Sequence, residues 1–173
     1  MTTFAHIGSG IAIAATVQHF VYQDEITPST ILIGALLGLL PDADSLFALL
    51  FDKWSPGENM LTHHRYFSHA PLFYVILTGC VWWGTGWKGA VMFLVITLTH
   101  LLMDSWSTDD GIMWLWPYRT KQYSLFSMEL HTGGIYGISF YLRYIQSPRL
   151  IIPEIISLAA GAIAIVRMII QQY

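Results

Sequence analysis

The chain has 173 residues, 54% of them hydrophobic and only 11% charged, and its mean hydropathy is +0.52. Soluble domains carry about 25% charged residues, so this composition excludes an ordinary soluble globule and predicts a single integral membrane domain over residues 1–173. A net charge of −3 without a Lys/Arg cluster excludes a nucleic-acid surface, and the lone Cys80 excludes an internal disulfide or a thiolate zinc site.

The N-terminus, MTTFAHIG, lacks a basic region, which predicts that the first apolar run is retained rather than cleaved as a signal. That run, Ile7 to Tyr22, predicts a rather short membrane helix, followed by the polar turn Gln23-Asp24-Glu25-Ile26-Thr27-Pro28. Ser29 to Phe51 predicts a second span. Pro41 breaks it after Leu40, with a restart at Asp44 or Ser45 as the cap. Asp52 to Ser68 reads as a polar loop around the turn Pro56-Gly57-Glu58-Asn59. A third span, Ala70 to Gly84, ends in Trp82-Trp83-Gly84-Thr85-Gly86-Trp87, an interfacial aromatic belt around a tight hairpin. The fourth, Lys88 to Met103, returns to His100 and Asp104.

Ser105 to Thr132, with Trp114-Leu115-Trp116-Pro117-Tyr118, predicts a partial lid on the membrane surface. Gly133 to Ile145 is apolar but shorter than the roughly 20 residues a span needs, and Ile151 to Ile170 is a final span. The expected fold is all-α, a multi-pass transmembrane bundle of about 4–6 helices with a polar metal site at one membrane face.

Alternating these spans places four polar islands on one side: His6, the pair Asp42 and Asp44, the stretch His63-His64-Arg65-Tyr66-Phe67-Ser68-His69, and His100 with Asp104. The spans were assigned from hydropathy, so the convergence is independent of them. Lys53, Arg65, Arg119 and Lys121 lie on that side and Lys88 on the other, which by the positive-inside rule faces the site toward the cytoplasm.

His100 and Asp104 are four residues apart on a predicted helix and can share one cation. Asp42 and Asp44 are close enough to repel unless a cation holds them. His64 and His69 come from a loop and a helix start, with His63 a bystander. His6, His64, His69 and His100 with Asp42, Asp44 and Asp104 exceed the ligands of one ion. Either two divalent ions bind, or one binds while the surplus groups orient ligands and move protons. These nitrogen and oxygen donors suit Zn, Mn, Fe or Co better than Ca, with Mg an option at the carboxylates. Asp44 or His69 is the candidate proton acceptor, and Arg65 the candidate contact for a substrate phosphate oxygen.

The segments LLPDADS, HRYFSH and HLLMDSWSTDDGIMWLWPY, in this order after an N-terminal histidine, resemble the YdjM-like family of membrane-bound metal-dependent hydrolases. The resemblance covers residues 1 to about 125. It implies a multi-pass inner-membrane protein with hydrolase activity, and it carries over His6, Asp42, Asp44, His64, Arg65, His69, His100 and Asp104. The function expected is metal-dependent hydrolysis of a phosphoester or other ester of an amphiphilic substrate, with membrane lipids as surroundings. Trp106, Trp114, Trp116 and Tyr118 would lie at the same interface.

Two other classes compete. His100-x-x-x-Asp104 resembles the last motif of metal-free lipid phosphatases with a histidine nucleophile, but Phe93-Leu94-Val95 stands where their Ser-Arg belongs. A metal transporter would need a second polar cluster across the bilayer.

Overall fold

A computed structural model describes residues 1–44, 64, 66–106, 111–126, 142 and 144–172. Its elements are α1 (Thr3–Thr16), continued by a π-helical turn (Val17–Val21), α2 (Pro28–Leu39), a 3₁₀ turn (Phe67–His69), α3 (Pro71–Asp104) and α4 (Pro148–Gln171). Among the described residues there is no strand, only an isolated antiparallel bridge between Ile112 and Tyr123. Among the described residues, three stretches are long and apolar enough to cross a membrane: Thr3–Val21, Pro71–Asp104 and Pro148–Gln171.

α3 is two arms rather than one rod. Gly86 adopts φ 77° and ψ −175°, a left-handed conformation that glycine takes without a Cβ penalty. The second arm then folds back along the first, so Tyr74 packs with Phe93 and Leu101. The expected hairpin at Gly84-Thr85-Gly86-Trp87 is therefore present. Its arms, about 22 and 27 Å at 1.5 Å per residue, approach the hydrocarbon thickness of about 30 Å. The first helix, expected from Ile7, starts earlier at Thr3 and takes His6 into its first turns.

α2 starts at a capping box in which Thr27 and Thr30 exchange side-chain hydrogen bonds, with Pro28 at the first helical position. It ends two residues before Pro41. Because proline has no N–H, the Leu37 carbonyl is taken by Leu40 N (3.3 Å), and Asp42 N turns to Leu39 O (3.1 Å). Neither bond uses the carbonyl of Gly38, which becomes available to another element. The restart expected at Asp44 or Ser45 runs into residues 45–63, outside the described residues. Most of 133–145 also lies outside them, as do Glu129 and His131.

α1 lies between α2 and α4, antiparallel to the first and parallel to the second. Helices in lipid gain little from apolar burial against one another, so close association depends on small residues that let backbones approach. Gly34 and Gly38, a G-x-x-x-G pair, face Gly10 and the His6 carbonyl. A Cβ on Gly34 would sit 2.6 Å from Gly10 O, and one on Gly8 would sit 2.5 Å from Ser157 O. The outward faces are apolar, with Leu36, Ile156, Ile163 and Ile170 all more than half exposed.

In the first turns of α4, Pro153 cannot bond the Arg149 carbonyl, and Trp106 Nε1 donates to it instead (3.3 Å). This ties the segment after α3 to the last helix. Residues 111–126 also pack onto the bundle: Ile112 is buried against Tyr74, Phe93 and Leu101, and Trp114 Nε1 donates to Ser105 Oγ (2.8 Å).

Gly34→Ala should destabilise the bundle by about 1–3 kcal/mol, because neither backbone can retreat without opening the α1/α2 contact. Gly79→Ala, where nothing lies within 4 Å of the added Cβ, should leave stability unchanged. Unfolding in mixed micelles compares the two directly.

Candidate metal centre

The cluster is built where the two ends of the α3 hairpin meet the start of α1 and the break after α2. His69 precedes α3, and His100 and Asp104 close its return arm one turn apart. Asp42 and Asp44 follow the proline break, and His6 comes from α1. His6, His69, His100 and Asp104 are at most 1% exposed, and His64 is 7% exposed. Ionisable groups so far from water must compensate one another or bind a cation.

One atom each from Asp42, His69, His100 and Asp104 lies within 4.8 Å of all the others. His100 Nε2 is 2.9 Å from Asp104 Oδ2 and 3.4 Å from Asp42 Oδ1. His69 Nε2 is 3.6 Å from Asp42 Oδ1 and 3.9 Å from Asp104 Oδ2. Ligands held at about 2.1 Å from a common ion are separated by about 3.0 Å at octahedral and about 3.4 Å at tetrahedral angles. The four donors thus have close to the spacing of a coordination shell.

Backbone and side-chain contacts fix which ring atoms face inward. His100 Nδ1 lies 2.7 Å from Gly38 O, the carbonyl released at the proline break; a carbonyl only accepts, so Nδ1 carries the proton. Nε2 then faces the cluster, 2.9 Å from an Asp104 carboxylate oxygen, as a donor when protonated and as a lone pair when neutral. A proton or a metal cation between the two makes this contact attractive. His69 Nδ1 lies 3.1 Å from Asp44 Oδ2, which also accepts from Ser68 Oγ, so Nε2 faces Asp42 and Asp104. A carboxylate behind an imidazole is the usual means of orienting a metal-binding histidine.

The remaining predicted residues have distinct places. Asp44 lies behind His69 and outside the four-donor set. His6 Nε2 is 3.0 Å from Asp104 Oδ1, and its ring stacks on His100 with centroids 3.7 Å apart. His64 Nε2 is 3.8 Å from Asp104 Oδ2. Arg65 lies outside the described residues, as does His63. Burial alone would raise the Asp42 carboxyl, but hydrogen bonds to His100 and His69 outweigh it and hold the group well below the usual carboxylate range. Burial lowers His69, yet its contacts with Asp42 and Asp44 hold it above the ordinary imidazole value. Without a cation the cluster is therefore held by shared protons. The donor set fits a divalent ion in their place.

Sequence reasoning missed three contributors. The Gly38 carbonyl was invisible because a backbone group has no sequence signature beyond the proline that frees it. Ser68 sits in a motif that drew attention only to its histidines. Glu154, buried in α4, accepts from Thr2 and from Tyr144 Oη (2.7 Å) and docks the last helix beside the start of α1. A carboxylate inside the last apolar span was the signal for it.

An all-helical bundle crossing the membrane several times, with buried imidazoles and carboxylates gathered at one end, defines a multi-pass membrane protein with a candidate metal centre. The chain belongs to the YdjM inner membrane protein family, whose description matches residues 1–173. It is 33% identical over 106 residues to the inner membrane protein YbcI of Escherichia coli (strain K12), covering 57% of this chain and 59% of that relative. The chain thus matches less than two thirds of the relative's length. No solved structure matches it. It is an inner-membrane protein, as its apolar helices require.

His100→Ala should abolish stoichiometric divalent metal in the purified protein. Asp44→Asn should retain it with affinity about 10–100-fold weaker, since only the orientation of His69 is disturbed. Elemental analysis and metal titration separate the two outcomes; equal loss in both would place Asp44 on the ion itself.

Proposed function

We propose that this protein is a metal-dependent hydrolase that cleaves a phosphoester, or another ester, of an amphiphilic substrate reaching the site from the membrane surface. The observation that carries the reading is the four-donor shell of Asp42, His69, His100 and Asp104, closed by His100 Nε2 at 2.9 Å from Asp104 Oδ2. Asp42, His69, His100 and Asp104 would hold the ion. The bound cation would polarise the scissile group and lower the pKa of an attacking water towards about 7.

The chain's own groups divide the remaining work. Asp44 and Gly38 O keep His69 and His100 in the tautomers that present Nε2. His64 stands outside the four-donor set, 3.8 Å from Asp104, and is the imidazole assigned to accept the proton of the attacking water. This replaces Asp44 and His69 as the preferred acceptor, because both are engaged with each other. Arg65, next to His64, is assigned a phosphate oxygen of the substrate. Tyr66, Phe67, Trp106, Leu115 and Tyr118 are exposed around the same end and suit the apolar portion of an amphiphile.

The test is hydrolysis of phosphomonoester and phosphodiester amphiphiles in mixed micelles. Chelation should abolish turnover and Zn or Mn should restore it. His64→Ala should lower kcat by about 10²–10⁴-fold while metal content stays at the wild-type value. Full metal occupancy without turnover of any ester would contradict the enzymatic assignment. Turnover indifferent to chelation, with phosphate trapped on His100, would establish the histidine-nucleophile alternative.

A further inference from the structure

The membrane surface opposite the His/Asp cluster carries a polar pair with no part in the proposed reaction. α4 carries Arg167 about 20 Å beyond Glu154 along its axis. The Arg167 guanidinium donates from Nη2 to His19 Nε2 (2.7 Å), and its Cζ lies 5.7 Å above the Phe20 ring. Arginine has donors only, so His19 Nε2 accepts and the proton resides on Nδ1. The remaining guanidinium N–H groups and His19 Nδ1–H then form a cluster made of donors alone.

The surroundings of this pair argue for an anion. Lys88, at the same end, is already paired with Asp24 (2.7 Å). Glu25 lies exposed on the turn after α1, yet no carboxylate among the described residues pairs with Arg167. His19 and Phe20 belong to the π-helical turn Val17–Val21, a widened geometry that occurs often at functional sites. Tyr22, just beyond it, meets Trp87 edge-on at 5.4 Å, and Trp82, Trp83 and Trp87 are exposed. Such an aromatic belt marks the depth of lipid headgroups. Phe20, Ile163, Val166 and Ile170 around the pair are more than half exposed and apolar, as a lipid-facing surface requires.

The geometry points to Arg167 and His19 as a binding site for a phosphate oxyanion, supplied by the headgroup of an anionic phospholipid. The guanidinium fork matches two phosphate oxygens, and His19 Nε2, accepting from Nη2, holds the fork in place. The acyl chains would lie along Ile163 and Ile170, which favours a lipid over a soluble phosphate.

Native mass spectrometry of the full chain, released from micelles containing phosphatidylglycerol and phosphatidylcholine, tests this. Phosphatidylglycerol should be retained preferentially, and Arg167→Gln and His19→Ala should each lower its retention about tenfold. Arg167→Lys should fall between, and Lys88→Gln should match the wild type. Metal content, measured in parallel, should be unchanged in all four, which separates this site from the proposed centre. Wild-type retention in Arg167→Gln, or an equal loss in Lys88→Gln, would overturn the site. Displacement of the lipid by inorganic phosphate at equal concentration would overturn its assignment to a headgroup.

Discussion

The structure depends on one imidazole that is fixed from both sides. His100 Nε2 and Asp104 Oδ2 lie 2.9 Å apart, and His100 Nδ1 is already committed to the carbonyl of Gly38. That carbonyl exists as a free acceptor only because Pro41 cannot continue the ladder of α2. A helix break of about 3 kcal/mol intrinsic cost is thus converted into the element that fixes an imidazole's orientation. The same turn delivers Asp42 to the cluster and Asp44 to His69, so one proline organises three of its contacts.

The glycines belong to the same logic. Gly38 brings α2 against the His6 carbonyl while its own carbonyl reaches His100. Gly8 and Gly161 bring α4 equally close to α1, which sets Glu154 beside Thr2 at the site end. Close backbone approach and a buried polar site are two results of the same small-residue packing. The opposite end, by contrast, is held by exposed pairs such as Asp24 with Lys88, and such pairs contribute about 0–1 kcal/mol. The bundle is anchored at the end that carries the His/Asp cluster.

Much of this was legible in the residues. The apolar runs gave the spans, and the run of Trp and Gly at 82–87 gave the hairpin that Gly86 closes. Alternating the spans brought His6, Asp42, His69, His100 and Asp104 to one end, where the structure places them. What could not be read was which atom of each side chain faces inward. Asp42 and Asp44 are equivalent in sequence, yet only the geometry of the turn separates a donor beside His100 from a carboxylate behind His69. The Gly34-x-x-x-Gly38 signal was present but overlooked, because its meaning depends on which helix it meets.

Buried imidazoles and carboxylates that face a common ion give that ion a recognisable ligand shell. X-ray absorption at the metal edge of the purified protein tests it most directly. Nitrogen and oxygen ligands alone are expected at about 2.0–2.2 Å, with the outer scattering of at least two imidazoles, lost in His100→Ala. A sulfur ligand, a hydrated ion without imidazole scattering, or no bound metal would contradict it.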